Sequence, residues 1–234
     1  MAKIYLLRHG EVSGPAALYG HTDVAVSAEV NAAICRLLAG HTFNISRIFC
    51  SPLQRCLRLA QLLTAHYHCA LSEDSRLKEM NFGCYDGVAF DELYQEHKAW
   101  QALELFWQNP VQHPLPQAEL LTGFSFRVIQ AWQQIVQSLA RECVDSEYLV
   151  VCHGGVIRMI LAHLLNVDYR NPDWYTQLSI ANGSLTTIDY QQSKCRVSSI
   201  AKSLLINHDN NNEESNDDFI FSATALVGKN LEMK

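Results

Sequence analysis

No apolar run in the chain approaches the ~18 residues a membrane-spanning helix needs, so no membrane partner is expected. The apolar stretch after Lys3 is too short for a signal peptide and runs straight into Arg8-His9, so a cytoplasmic protein is expected. Basic charge is not in excess: 18 Lys and Arg stand against 24 Asp and Glu, a formal charge of −6. That balance argues against a nucleic-acid partner, which needs a broad basic face, but leaves room for a local cationic pocket. The nucleotide-cradling pattern G-x-x-x-x-G-K-[ST] does not occur. Nor does any C-x-x-C pair among the eight cysteines at 35, 50, 56, 69, 84, 143, 152 and 195. Several lie inside apolar segments, so buried reduced thiols are expected rather than a disulfide framework.

What the chain does have is size and apolar content: 234 residues, 48% hydrophobic, suit one large α/β domain. Its organising stretch is Lys3–Gly10, KIYLLRHG. Four consecutive apolar residues, Ile4–Leu7, leave no solvent face and read as a buried strand. Arg8 and His9 fall where that strand ends, and Gly10 permits a sharp turn. The pattern returns as YLVVCHGG, with Tyr148–Cys152 apolar and His153, Gly154 and Gly155 following. Open α/β sheets bind ligands beyond the carboxyl ends of their strands, and two strands here deliver a histidine to that rim.

Between them, Glu11–Val26 is a long Gly- and Pro-containing loop of the kind that builds sites. Ser27 is an N-cap for a helix to about Ala39, with Gly40 as the stop. Ile45–Cys50 reads as a strand. Ser51-Pro52 then opens a helix to about His68, serine capping and proline in the first turn, with Arg55 near its positive end. Leu71 marks a short third strand. Residues 76–87 form a polar loop holding Glu79. Helical segments follow at about 89–108 and 124–142, the second with Val128, Trp132, Ile135 and Leu139 on one face. The first also carries Trp100 and Trp107, read as packing residues. After the strand at 147–152 come a helix over Val156–Leu165 and strands over Ser184–Tyr190 and about Arg196–Leu205. His208–Asp218 holds five carboxylates and no lysine or arginine, which reads as a solvated linker.

The polar residues at strand ends and helix starts, with the loop carboxylate, are Arg8, His9, Arg55, Glu79 and His153. Arginine's planar fork matches phosphate oxygens and stays charged at any working pH. Backbone N–H groups at helix starts after Gly10 and Gly154 would add anion-binding dipoles. A neutral imidazole can attack phosphorus, and a carboxylic acid can protonate the departing oxygen. A metal site is not expected, because Glu11 is the only carboxylate adjacent to either histidine and metal-assisted chemistry wants several.

Four motifs in order resemble the histidine phosphatase superfamily, the phosphoglycerate mutase-like group: LLRHGE at the first strand, Ser51-Pro52-x-x-Arg55, the L-x-E-x-x-F-G-x-Y-D-G run of Leu77–Gly87, and VVCHGGVIR. The resemblance spans about residues 3–190. It implies a three-layer α/β/α sandwich with a mostly parallel sheet and a helical cap insertion. The phosphatase domain is expected over 1–206, the cap over about 88–143, and an acidic linker and tail over 207–234. The resemblance makes His9 a nucleophile that forms a phosphohistidine, with Arg8, Arg55 and His153 on the phosphoryl oxygens and the Gly154 amide as a further donor. Glu79 becomes the proton donor to the leaving alcohol and then the base for water. No metal or organic cofactor is implied, and the expected partner is a small phosphomonoester.

Gly20, His21 and Thr22, in the loop LYGHTDVAVS, are the expected substrate-side contacts, and the spacing from RHGE to YGHTD resembles α-ribazole phosphatases of cobalamin synthesis. The chain departs from the family at Val12, Pro15, Val26 and Val30, and its counterpart of the G-E-S motif reads Gln117-Ala118-Glu119-Leu120. The expected reaction is hydrolysis of α-ribazole 5′-phosphate. A broad sugar or nucleotide phosphatase, a phosphoglycerate mutase and a phospholigand-binding protein without turnover are the other readings, and a homo-oligomer stays open.

Overall fold

The computed structural model describes residues 2–141 and 146–204; Cys143 and the expected linker and tail lie outside the described residues. In chain order the elements are β1 (Ala2–Arg8), α1 (Ala28–Ala39), β2 (Ile45–Cys50), α2 (Gln54–Tyr67) and β3 (Ala70–Glu73). Then follow α3 (Phe90–Gln95), α4 (His97–Gln108), α5 (Leu121–Leu139), β4 (Glu147–Cys152), α6 (Gly154–Leu165), α7 (Asp173–Thr176), β5 (Leu185–Gln191) and β6 (Lys194–Lys202). One six-stranded sheet runs β3-β2-β4-β1-β5-β6. Its first four strands are mutually parallel, and β5 and β6 add an antiparallel hairpin on β1.

Alternation along the central strands makes three layers. Tyr5 and Leu7 of β1, with Leu149 and Val151 of β4, pack toward Ile34 and Leu38 of α1 and Leu59 and Leu63 of α2. Ile4 and Leu6, with Tyr148 and Val150, pack toward Val128, Trp132 and Ile135 of α5 and Ile157 and Ile160 of α6. A strand covered on both faces must be apolar throughout, which is why β1 and β4 read as unbroken hydrophobic runs.

Three local expectations are corrected. Ser51 does not cap α2: the helix begins at Gln54, and Asp23 Oδ1 accepts the Gln54 backbone N–H at 2.7 Å. The serine hydroxyl faces His153 instead. No helix follows Gly10, because the loop 11–26 intervenes before Ser27 caps α1, accepting from the Val30 amide at 3.2 Å. Gly10 itself has no left-handed backbone. It is small because α1 comes close: a Cβ there would lie 2.6 Å from Val30 Cγ1.

The helical segment expected at 89–108 is broken at Glu96, whose backbone is extended, into α3 and α4. Trp100 packs edge-on against Tyr94 and Trp107, and Trp107 against Phe90, so the aromatics there form a packing cluster. The loop after β1 is stitched to this region by Gly87 N–H to the Leu18 carbonyl and Phe90 N–H to the Ala16 carbonyl, both 2.8 Å. The seven described cysteines are free thiols. No helix among the described residues is long and apolar enough to cross a membrane.

Candidate active site

Sheet register assembles the site. β1 and β4 pair in parallel with Arg8 opposite Cys152, so the next residues, His9 and His153, emerge side by side at the carboxyl rim. Their rings meet edge to face with centroids 5.1 Å apart. β2 ends level with them, its Cys50 opposite Val151, which delivers Ser51 to the same rim.

His9 is 7% exposed. Its Nδ1 lies 2.7 Å from the Gly10 carbonyl oxygen. A carbonyl can only accept, so Nδ1 carries the proton and Nε2 keeps its lone pair. Burial, then the charges of Arg8 and Arg55, lower its pKa to about 3, and the ring is neutral at any ordinary pH. These are the requirements for a nucleophilic imidazole.

His153 is fully buried and is fixed the other way round. Arg55 Nε donates to its Nδ1 at 3.2 Å, and a guanidinium can only donate. The His153 proton therefore sits on Nε2 and is donated to Ser51 Oγ at 2.9 Å. Burial, then the charges of His9, Arg55 and Arg8, hold this ring well below the usual histidine range.

Arg55, in the first turn of α2, is 0% exposed. Besides His153 it donates to the carbonyls of Thr22 at 2.9 Å, Tyr19 at 3.0 Å and Gly20 at 2.6 Å. Four of its five N–H groups are thus committed, and its charge remains in the site. Arg8 is freer. Its Nη1 donates to the Ile180 carbonyl, while its buried Nε has no partner among the described residues. Burial lowers Arg8 to about 10, against the pull of Glu79, which still leaves it cationic at neutral pH.

Glu79 sits at the start of α6. Its Oε2 accepts the Gly155 amide and its Oε1 the Met80 amide, each at 2.9 Å. The positive end of a helix suits a carboxylate there. Gly155 makes room: a Cβ on it would lie 2.2 Å from Glu79 Oε1. At Gly154 the nearest group would be Arg8 Nε at 3.5 Å, an ordinary contact, so the steric requirement for glycine falls on the second residue of the pair.

Of the three loop residues expected near substrate, Gly20 and Thr22 have their polar groups engaged within the protein. Both amides donate to Asp86 Oδ1, at 3.2 and 2.8 Å, both carbonyls accept from Arg55, and the Thr22 hydroxyl donates to the Asp86 carbonyl at 3.0 Å. The exposed His21 side chain is the freest of the three, 3.5 Å from Asn81 Nδ2.

Sequence reasoning passed over several participants. Asp86 gathers four backbone N–H groups, from Gly20, His21, Thr22 and Phe82. It lies in the Leu77–Gly87 motif, so that motif was the signal. Ser51 sat in view as an assumed cap. Arg158, inside VVCHGGVIR, is largely buried, donates to the Leu178 carbonyl, and is lowered by burial against the pull of Glu79. Arg127 is one polar residue of an amphipathic helix, and nothing local marks it. Among the described residues no three His, Cys, Asp or Glu side chains gather closely enough to hold a metal ion.

The six-stranded α/β sandwich thus brings two histidines and two arginines together at its carboxyl rim. The chain belongs to the histidine phosphatase superfamily (branch 1), whose signature matches residues 4–203. It is 29% identical over 202 residues to a Hydrogenobacter thermophilus protein provisionally named phosphoserine phosphatase 2, covering 83% of this chain and 92% of that one. Its fold matches Bacillus stearothermophilus YhfR with a TM-score of 0.74 at 22% identity, covering 86% of this chain and 97% of that one. The α-ribazole phosphatase from Shigella flexneri matches with a TM-score of 0.69, also at 22% identity, covering 89% and 100%. The fold is the phosphoglycerate mutase-like one.

Proposed function

We propose that this protein is a metal-independent phosphomonoesterase working through a phosphohistidine on His9. One observation carries the reading: the Gly10 carbonyl holds the His9 proton on Nδ1, leaving a buried, neutral Nε2 lone pair beside the cationic Arg8. Nε2 forms a bond to phosphorus as the ester P–O bond breaks. Glu79, in its acid form, gives its proton to the departing oxygen. As carboxylate it then takes a proton from water, whose oxygen attacks phosphorus as the P–Nε2 bond breaks. Inorganic phosphate leaves and His9 is again neutral.

Arg8 and Arg55 supply charge to the phosphoryl oxygens, and the His153 N–H joins them when it turns from Ser51 Oγ to substrate. A protein that only bound phospholigands would have no use for a carboxylate fixed beside Arg8. Two displacements at phosphorus invert configuration twice, so a chiral isotopically labelled phosphate ester should give net retention; net inversion would remove the covalent intermediate.

Within that chemistry we assign α-ribazole 5′-phosphate as the substrate, a step of cobalamin synthesis. The support is the RHGE-to-YGHTD spacing, which resembles that of α-ribazole phosphatases. A kcat/KM panel of α-ribazole phosphate, phosphoserine, phosphoglycerates, sugar phosphates and mononucleotides tests it. The assignment predicts at least a ~10-fold preference for α-ribazole phosphate, within reach of ordinary pocket discrimination. A flat profile would replace it with a broad-specificity phosphatase.

A further inference from the structure

We infer that Arg127, on α5, is a positioning residue that holds Glu79 in place for proton transfer; the inference rests on the reading of Glu79 as the acid. All five of its N–H groups are in use, and every acceptor belongs to the Glu79 loop or to its tether. Nε and Nη2 grip the two carboxylate oxygens of Glu119 at 2.7 and 2.8 Å. Nη1 donates to the carbonyls of Arg76 at 2.7 Å and Lys78 at 2.8 Å. Nη2 donates its second hydrogen to the carbonyl of Glu79 itself at 2.9 Å. Glu119 closes the circuit on the far side of Glu79: its amide donates to the Asn81 carbonyl at 2.9 Å, and its Oε2 accepts the Asn81 amide at 3.3 Å.

The backbone from 76 to 81 runs from the short turn at Ser75–Leu77 toward the one at Gly83–Tyr85, outside the sheet ladder. Its fixed frame is therefore α5. That helix is rigidly seated, because Phe124, Val128, Ala131 and Trp132 around Arg127 are all buried, and the guanidinium lies 4.8 Å over the Phe124 ring. A planar fork with five donors can hold three carbonyls and a carboxylate at once; a lysine ammonium, with three donors and no plane, cannot. Displacing a proton donor by about 1 Å can cost on the order of 10²-fold in rate. The clamp ties the placement of the acid to the helical region between β3 and β4.

The test uses the full-length protein and kcat/KM, which covers steps up to departure of the leaving group. Glycerol 2-phosphate needs its alkoxide protonated, whereas p-nitrophenyl phosphate releases a stable phenolate. Arg127→Lys should lower kcat/KM by about 10–100-fold on glycerol 2-phosphate and by less than about threefold on p-nitrophenyl phosphate. Glu79→Gln should show the same selectivity more strongly. In the Glu79→Gln background, Arg127→Lys should add nothing, since both changes remove one function.

If Arg127→Lys does not melt cooperatively, Glu119→Gln, which keeps one acceptor oxygen, carries the same cycle. Equal losses on both substrates, or losses that multiply in the double variant, would overturn the positioning role while leaving Glu79 as the acid. A Glu79→Gln protein with no leaving-group selectivity would remove the acid reading and this inference with it.

Discussion

His9 and His153 stand edge to face, 5.1 Å between ring centroids, with opposite tautomers. The Gly10 carbonyl draws the His9 proton to Nδ1, and Arg55 Nε keeps the His153 proton on Nε2. One ring thereby offers a lone pair, while the other carries an N–H that it gives to Ser51 Oγ. Two like residues acquire complementary chemistry from what each touches, and burial with the nearby arginines keeps both uncharged.

Stability should record those neutral rings. An unfolded histidine titrates near 6.5, whereas His9 is lowered to about 3 in the fold. Between those values the unfolded chain binds the extra proton, so stability rises with pH across the window. It is lost as pH falls below about 6.5, with no further contribution above about 7.5. One such group contributes a slope of at most ~1.4 kcal/mol per pH unit. His9→Gln should flatten the urea-unfolding free energy between about pH 7 and 4.5 relative to wild type. Parallel profiles would contradict a buried neutral His9.

The two glycines after His153 should respond differently to alanine. Gly155→Ala places a methyl 2.2 Å from Glu79 Oε1 and must move the carboxylate. Its kcat/KM toward an alkyl phosphate should fall by about 10–100-fold. Gly154→Ala meets only Arg8 Nε at 3.5 Å and should retain more of it. Equal kcat/KM for the two variants would contradict the placement of Glu79 against Gly155.

Asp86 should matter to both stability and substrate handling. Burial works against its ionised form, but hydrogen bonds from Thr22, His21 and Phe82 outweigh it and hold the carboxyl below its ordinary range. Its contribution is therefore present above the unfolded pKa of about 3.9 and disappears as pH falls through the lower folded value. Asp86→Ala leaves four backbone N–H groups without their acceptor and should cost at least ~1.5–3 kcal/mol, read from urea melts at neutral pH. Loosening of the 20–22 loop should lower kcat/KM as well. An alanine variant unchanged in both respects would show that the carboxylate does not organise the loop.

Much of this was legible in the sequence because it depends on local signals. Unbroken apolar runs mark strands covered on both faces, so β1 and β4 were readable along with the histidines they present. Ser27 and Gly40 framed α1 correctly because a cap and a stop act within a few residues. The misreadings came from choices settled only in three dimensions. Ser51 has the chemistry of a cap, yet the hydroxyl is taken by a histidine about a hundred positions away, and Asp23 serves the helix instead. The Gly10 motif was visible, but its reason, the approach of Val30, belongs to packing. Arg127 could not have been picked out, since its partners Arg76, Lys78, Glu79 and Glu119 meet it only when the chain folds.

The proposed reaction turns on the covalent phosphate on His9. Brief incubation with a ³²P-labelled substrate, followed by denaturation, should trap acid-labile, base-stable phosphate on the wild-type protein and none on His9→Ala. No label on wild type, or equal label on both proteins, would contradict it.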